Sequence, residues 1–492
     1  MATAIPQNRA TFTIWELLAA TGGVASRLPD EHLEVVGFVT DSRTVTRASG
    51  FVALRGDTFD GHEFLASALE RGAGAVVVER GRPVPPGSAA VVEVDDTRVA
   101  LGLLARAHLR RWRRGSSAGA RRRVAAITGS AGKTTTKELA AAILGAVGRC
   151  HATSGNLNNL VGVPSVALAI EDEGCAVFEL GMSVPGEIDA LRRIVEPDVA
   201  ALLNVGVAHA SSFGGSRAEV AREKGALFEG LGRDGVAVVG IDDDAARGQL
   251  VRCSESKHVG FGTSPDADVR LVHREPIGTD GARVTLARAT ESFDVYLPAT
   301  GAAAALDLAA AVAIADATNG QPIPSSLIAA SVRDWRPVTG RCVVTELAGE
   351  VLVIDDSYNA NPGSMSAALA TLMELRSNRS GRAIAVIGSM RELGAISAQA
   401  HVTLGHELSR RGVAIAVGCG GEIDATLRAA ETDGVQVHSL GDAVEAGAWL
   451  VKEVRPGDVV LFKGSRAAGV ERALAGLVAH RPAVVRTGSP RT

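Results

Sequence analysis

VAAITGSAGKTTTKELAAAIL, Val124 to Leu144, is the stretch on which the fold turns. Its first four residues, Val124 to Ile127, are small and apolar, as in a buried strand, and the alanine-rich run Thr135–Leu144 has helical composition. TGSAGKT lies between them. A polyphosphate needs a turn with little side-chain bulk, so that backbone N–H groups and the positive end of the next helix can face it. Gly129 and Gly132 supply that turn. Lys133 would reach the outer phosphates as a point charge, and the Thr134 hydroxyl would ligate the magnesium that screens them. The stretch therefore predicts a nucleotide triphosphate at a strand–turn–helix.

The common phosphate loop, GxxxxGK[ST], would carry glycine at position 127, where this chain has Ile127. Its shorter TGxxGKT pattern resembles the Mur ligase and folylpolyglutamate synthase superfamily, in which ATP drives amide formation. That resemblance implies that Gly129, Ser130, Ala131, Gly132, Lys133, Thr134 and Thr135 hold ATP, with Lys133 also catalytic.

Bulk properties frame this reading. A chain of 492 residues is too long for one core and suggests about three domains. Boundaries are expected to give 1–115, 121–334 and 335–492. Only 3% of residues are aromatic, against 46% hydrophobic, which suits compact α/β layers and disfavours base stacking. Acids (55) nearly balance bases (51), so no global field favours nucleic acid or an anionic membrane. Cys150, Cys175, Cys253, Cys342 and Cys419 are scattered without CxxC spacing, as free thiols in a reducing compartment would be. The N-terminus has no basic segment followed by an apolar core, and Pro298–Ala317 carries Asp307 and Asp316, so a core helix is expected there rather than a membrane span. The expectation is a soluble cytoplasmic protein, working as a monomer.

Before the phosphate turn, Phe38–Gly56 is rich in β-branched residues, and Phe64, Leu65, Ala68 and Leu69 recur at helical spacing ahead of a strand at Ala75–Val78. This predicts a small α/β module. Asp41, Ser42, Arg43, Asp60, Gly61 and His62 form two polar clusters that read by themselves as turn and cap chemistry. DSR followed by GDTFDGHEF also resembles the uridine-nucleotide-binding domain of the muramoyl-peptide ligases, which implies a substrate role for Ser42 and Arg43. The basic run RAHLRRWRRGSSAGARRR, Arg106 to Arg123, reads as a solvated linker or helix end.

After the turn, GNLNNLVGVP crowds Asn156, Asn158 and Asn159 around glycine. An Asn-rich turn explains this locally. The string also resembles the substrate-holding loop of the family branch that adds D-alanyl-D-alanine. Ala176–Leu180 predicts a strand with Glu179 near its end, where an acid can hold a metal beside a phosphate turn. His209 follows the strand expected at Val199–Asn204, and Lys224 lies on a helix with Val220, Leu227 and Phe228 on its apolar side. A lone histidine and a helical lysine are usually structural and solvated respectively. The resemblance instead makes Glu179, His209 and a carbamylated Lys224 the magnesium ligands beside Thr134, with His209 and Lys224 catalytic. In GAAAALDLAAAVAIA the family usually carries histidine and asparagine near adenine, where this chain has Ala303 and Asp307.

From about Trp335, strands at Val351–Ile354, Ala383–Ile387, Val413–Val417 and Val459–Phe462 alternate with helices, one striped by Met365, Ala368, Leu369, Leu372 and Met373. Such alternation predicts a parallel, Rossmann-like sheet. VGCGGE is not a dinucleotide fingerprint, so no NAD is expected. DDSYNANP, Asp355 to Pro362, follows the first of these strands, and ligands collect at such carboxyl ends. It too resembles the D-alanyl-D-alanine-adding branch, as do RELG, His401 and KGSR. By resemblance Arg341 and Asp356 contact ATP, and Tyr358, Asn359, Asn361 and Lys463 join Asn156, Asn158 and Asn159 on substrate.

The implied architecture is α/β in three domains: an N-terminal UDP-sugar-binding module, a central ATPase with a parallel sheet, and a C-terminal Rossmann-like domain. The implied reaction joins D-alanyl-D-alanine to UDP-N-acetylmuramoyl-tripeptide with ATP and Mg²⁺ in peptidoglycan precursor synthesis. The alternatives are a sibling ligase adding a different amino acid and a catalytically weakened nucleotide-binding relative.

Overall fold

A computed structural model of the chain describes residues 3–56, 58–115, 121–207, 210–289 and 291–484. The apolar run at its centre becomes the strand Arg123–Thr128, held between Cys175–Glu179 and Val199–Leu202 in parallel register. Alternating side chains of this strand enter different cores. Val124 and Ala126 face one, and Ala125 and Ile127 face the other. A strand covered on both faces must be apolar throughout, which is why it reads as a continuous run.

Nine strands form the central sheet in the spatial order Glu291–Leu297, Ala282–Arg288, Val269–Pro276, Lys257–Gly262, Val236–Gly240, Val199–Leu202, Arg123–Thr128, Cys175–Glu179 and Cys150–Ala152. Pairing is parallel from Cys150 through Val269 and antiparallel in the two pairings that end with Glu291–Leu297. The chain leaves Arg123–Thr128 for the far edge at Cys150, returns to one side of it at Cys175, then crosses to the other at Val199. That reversal opens a crevice at the carboxyl ends of these strands.

Helix Lys133–Gly145 leaves directly from the crevice, and helix Ala302–Asn319 packs along it. Among the described residues Ala302–Asn319 is one helix long and apolar enough to cross a membrane. Its Ala305 and its run Leu308–Ala315 are instead buried in the core shared with Ile127, Leu139 and Ile143. The many alanines let the two helices approach closely.

The N-terminal sheet orders Val24–Arg27, Ala90–Val94, Ala75–Glu79, Gly50–Val52 and Phe38–Val39. Helix Thr97–Arg114, capped by Asp96, runs from it across the central unit, with Gly102 so close to Ile194 that a Cβ would lie 2.8 Å from its Cδ1. The basic run up to Gly115 is a helix end, as its composition allowed, with several of its arginines paired rather than solvated, and 116–120 lie outside the described residues. Arg106 and Arg110 donate to Glu196, Arg113 donates to the carbonyls of Val195 and Glu196, and Arg121 bonds Asp198. These arginines fasten the first sheet to the second.

The C-terminal sheet orders Val343–Leu347, Val351–Asp355, Val459–Lys463, Ala383–Gly388, Ile415–Cys419 and Gln436–Leu440. It departs from an all-parallel sheet at one edge, where Val343–Leu347 runs antiparallel to Val351–Asp355. The connection is a tight turn with Gly349 and Glu350 both at positive φ, too short for the crossover that a parallel pair requires. Helix Pro362–Ser377 buries the Met365, Ala368, Leu369 and Leu372 stripe, and Met373 packs at its margin.

Central and C-terminal units meet through polar contacts. Arg274 grips Glu374 through two 2.7 Å hydrogen bonds, and the Ser211 N–H donates to the Glu392 carbonyl at 3.0 Å. The Arg274 side chain is only 12% exposed. Replacing Glu374 by alanine should leave a mostly buried cation unpaired, a cost of about 1–3 kcal/mol. Small-angle scattering should show a larger radius of gyration and the melting temperature should fall. Unchanged values for both would show that docking does not depend on the pair.

Candidate active site

Helix Lys133–Gly145 begins without a side-chain cap. Its N-cap is Gly132 at φ +82°, which leaves the first N–H groups of the helix free to face an anion. Asn204 holds the preceding turn in shape. Its Oδ1 accepts from the Ser130 and Ala131 N–H groups at 3.1 and 3.0 Å, and its Nδ2 donates to the Ala131 carbonyl at 3.1 Å. Sequence reasoning passed over Asn204, although an amide side chain at the end of a strand beside the turn was visible in the sequence.

Two lysines converge on one oxygen. Lys133 Nζ donates to the Gly129 carbonyl at 2.8 Å and Lys224 Nζ donates to the same atom at 3.1 Å. Lys224 is 1% exposed, so it is far from a solvated helical lysine. Its helix, Arg217–Gly225, is pinned by Glu223, which accepts from the Gly186 and Ile188 N–H groups of the neighbouring helix start. Burial pushes the Lys224 amine well below its ordinary pKa, and the neighbouring Lys133 charge adds to this against Glu223. Burial also lowers Lys133, with Glu179 opposing.

Glu179, 2% exposed, accepts from the Thr134 hydroxyl at 2.9 Å on one oxygen and from Asn158 Nδ2 at 2.8 Å on the other. Its own N–H donates to Thr153 Oγ1, so the acid is fixed at both ends. Thr134 and Glu179 are hard oxygen donors side by side, which suits magnesium held by one carboxylate, a hydroxyl and phosphate oxygens. Among the described residues no cluster of three or more His, Cys, Asp or Glu side chains could hold a metal alone. His209 lies outside the described residues. The other two asparagines face the same cleft with different tasks. Asn159 Oδ1 accepts from the Val161 and Gly162 N–H groups, while the Asn156 Oδ1 accepts from the Thr3 hydroxyl.

The C-terminal unit closes the opposite wall. Arg341 stacks 3.9 Å from the Tyr358 ring centroid and extends a terminal nitrogen to 3.3 Å from the Thr134 hydroxyl. Its Nε is buried without a hydrogen-bond partner. Asn361 caps its own helix through Ser364 and donates to the Ser130 carbonyl at 3.3 Å. Lys463, 2% exposed, pairs with Asp356 at 2.5 Å and donates to the Asn359 carbonyl at 3.0 Å. The cleft between the two walls has a volume of about 550 Å³ and takes in Ser130–Thr135, Asn158, Glu179, Lys224, Tyr358 and Arg391. Arg391 and Ser465, from the RELG and KGSR strings of the resemblance, also line it, although sequence reasoning assigned them no site role.

Ser42 and Arg43 are not part of this cleft. They sit on the N-terminal sheet, where Asp41 accepts from Arg43 and caps the Ser42–Thr44 turn. The Arg43 side chain is 83% exposed, with its guanidinium paired to Asp41. His62 is fixed, with Nδ1 on Asp60 and Nε2 accepting the Glu79 N–H.

Gly132 is the position where the turn tolerates least change. A Cβ there would lie 2.2 Å from Asp307 Oδ1, and the positive φ adds about 1–3 kcal/mol of strain for any other residue. Gly132→Ala should therefore weaken ADP binding at least about tenfold in a calorimetric titration while the circular dichroism spectrum stays unchanged. Unchanged affinity would show that the turn does not carry the phosphates.

Comparison with known proteins agrees with this geometry. Three family models match in succession: the Mur ligase family catalytic domain over residues 34–109, the Mur ligase middle domain over 127–315, and the Mur ligase glutamate ligase domain over 340–466. The UDP-N-acetylmuramoyl-tripeptide–D-alanyl-D-alanine ligase of Bacillus subtilis (strain 168) is 33% identical over 481 residues, covering 95% of this chain and 98% of the relative. A crystal structure of MurF from Acinetobacter baumannii superposes with a TM-score of 0.85 at 32% identity, covering 97% of this chain and 100% of that one. The MurF ligase of Thermotoga maritima in complex with ADP does so with 0.77 at 30% identity, covering 90% and 97%. Matched in order through all three units, the chain belongs to the Mur ligase family.

Proposed function

We propose that this chain is an ATP- and Mg²⁺-dependent ligase that joins D-alanyl-D-alanine to the terminal carboxylate of UDP-N-acetylmuramoyl-tripeptide, giving the pentapeptide precursor of peptidoglycan. The observation that carries the reading is the meeting at Thr134, which donates to Glu179 on its own side and receives Arg341 from the facing unit. The names of the relatives and the ADP bound to the Thermotoga maritima neighbour supply the substrates. Balanced charge argues against nucleic acid or an anionic membrane as partner, and unpaired cysteines suit a reducing, cytoplasmic setting.

A carboxylate does not acylate an amine in water, because oxide is too poor a leaving group. In the first step a carboxylate oxygen of the tripeptide attacks the γ-phosphorus, its P–O bond forms, and the bond to ADP breaks. In the second, the amine of D-alanyl-D-alanine attacks the carbonyl carbon of the acyl phosphate. The tetrahedral adduct then loses inorganic phosphate, and the amine nitrogen sheds its proton. Lys133 leaves the Gly129 carbonyl to follow the γ-phosphate, and the open N–H groups after Gly132 hold the β-phosphate. Arg341 is positioned to offset charge that develops on the transferred group. Catalysis of this kind is positioning and electrostatics. Magnesium would be held by Thr134 and Glu179, with Lys224 and, by the family resemblance, His209 as further ligands, and would screen the phosphate charges. Asn156, Asn158, Asn159, Tyr358, Asn359, Asn361 and Lys463 face the space for the acceptor peptide and the dipeptide, while Asp356 is placed to reach the nucleotide. Ser42 and Arg43 take the uridine nucleotide from outside the cleft. Closure of the two walls keeps water from the acyl phosphate.

The depressed Lys224 amine also suits carbamylation, in which neutral nitrogen attacks carbon dioxide, forms an N–C bond and releases a proton. The product is an anion that can ligate metal.

Purified protein with ATP, Mg²⁺ and UDP-muramoyl-tripeptide should release phosphate and form pentapeptide once D-alanyl-D-alanine is added. Failure to form pentapeptide removes the assignment. Lys133→Ala should lower turnover by at least about 100-fold with the fold intact. Lys224→Arg should also abolish turnover, and ¹³C-labelled carbon dioxide should give a carbamate resonance in the wild type that this variant lacks. A resonance common to both proteins would place the carbamate elsewhere.

A further inference from the structure

The wall of the cleft contains an acid that the ligase mechanism does not use. Asp307 lies in the second turn of helix Ala302–Asn319, facing the cleft against the phosphate turn. Its Oδ1 is the atom that a Cβ on Gly132 would strike at 2.2 Å, so the carboxyl abuts the residue whose neighbouring N–H groups await an anion. Other acids here are well matched. Glu179 accepts from Thr134 and Asn158, and Asp356 is paired with Lys463. Among the described residues, the Thr136 hydroxyl and the Arg341 charge are what favour the ionised form of Asp307. The Thr136 hydroxyl is buried and makes no hydrogen bond of normal length.

The remaining charges are committed elsewhere. Lys133 is folded onto Gly129, and Lys137, fully buried, donates to Glu138 and the Thr153 carbonyl. Glu374, on the C-terminal helix facing this region, is held by Arg274, and Asp316, far along the same helix as Asp307, is held by Arg288. The strands that pack beneath the helix present Val238, Phe261 and Val269. An ionised carboxylate in this position would face the phosphates of a bound nucleotide with little countercharge of its own.

We propose that Asp307 serves the phosphate site as a neutral carboxylic acid, so that a bound nucleotide brings a proton with it. The inference rests on the nucleotide reading above and deepens it. Burial already raises the group to about 8, with Thr136 and Arg341 opposing, and adjacent phosphate acts in the same direction as burial. The sign follows from linkage. Below the free-state value the acid is already protonated and binding takes up little. Above it the free protein is ionised, each nucleotide must recruit a proton, and affinity falls by at most about tenfold per pH unit. Lys133, whose amine burial also depresses, can gain a proton when an anion arrives, so the diagnostic quantity is the difference between the wild type and an Asp307 variant.

The test is calorimetric titration of the full chain with ADP and Mg²⁺, at about pH 7 and about pH 9, in HEPES and Tris, whose ionisation heats differ. At the higher pH the wild type should take up about one more proton per ADP than Asp307→Asn, and its Kd should rise about tenfold more between the two conditions than that of the variant. Asp307→Ser should behave as Asp307→Asn. Equal proton uptake and equal pH dependence in wild type and variants would overturn the proposal. Infrared difference spectroscopy of the wild type gives a second reading, since ADP binding at the higher pH should produce a protonated-carboxyl band, and its absence would overturn the proposal even if neither variant folds. No binding heat at either pH would instead defeat the nucleotide reading itself, and this inference with it.

Discussion

The start of helix Lys133–Gly145 leaves hydrogen-bond donors without a side-chain acceptor, and the site is built around that deficit. Some helix starts elsewhere are closed by Thr13, Asp96, Asn361 and Asp442, while others, among them those after Gly186 and Gly301, are open as well. Here Gly132, in the phosphate turn, stands in place of a capping residue, and among the described residues no side chain caps the helix. Unsatisfied donors at a helix end are costly in an enclosed place unless a ligand supplies the acceptor. The surroundings hold the turn in this open form. Asn204 braces it from the next strand, and Thr128 donates across to the Leu180 carbonyl.

The same deficit explains the behaviour of the lysines. Lys133 and Lys224 share the Gly129 carbonyl, and burial weakens the hold of both on their protons. Two amines on one carbonyl oxygen cannot both hold their charge readily. Lys133 regains its proton when a polyanion enters between it and the helix start, while the depressed Lys224 suits carbamylation. The Glu179 charge opposes burial at Lys133, and Glu179 is itself held by Thr134 and Asn158.

The three sheets are arranged to serve this point. The carboxyl ends of the central strands carry the phosphate turn, Glu179 and Asn204. Those of the C-terminal sheet carry Asp356 and the Lys463 that pairs with it. Polar contacts join the two units, Arg274 with Glu374, Asn361 with Ser130, and Arg341 with Thr134, beside the packing of Val207 on the C-terminal core. Interfaces of this kind can open and close more readily than apolar ones. The first sheet is held differently, by the arginines of helix Thr97–Arg114 around Glu196 and by a core continuous with one face of the central sheet.

Strand, turn and helix around Gly129–Thr134 were legible because their causes are local: an apolar run, glycines, and a helix-forming tail. The alternation after Trp335 and the Met365–Leu372 stripe were legible for the same reason, since period and composition declare them. The antiparallel edge at Val343–Leu347 was not, because it depends on the short turn at Gly349 and Glu350. What the sequence alone determined was the chemistry on offer and the class of scaffold presenting it. The tertiary structure decided the rest: that Lys224 is buried on Gly129, that Asn204 braces the turn, that Asp307 abuts Gly132, and that the basic run is an anchor. Each of those contacts joins residues far apart in the chain. Which of them meet follows from the order of strands in a sheet, a property of the packed whole that no local stretch encodes.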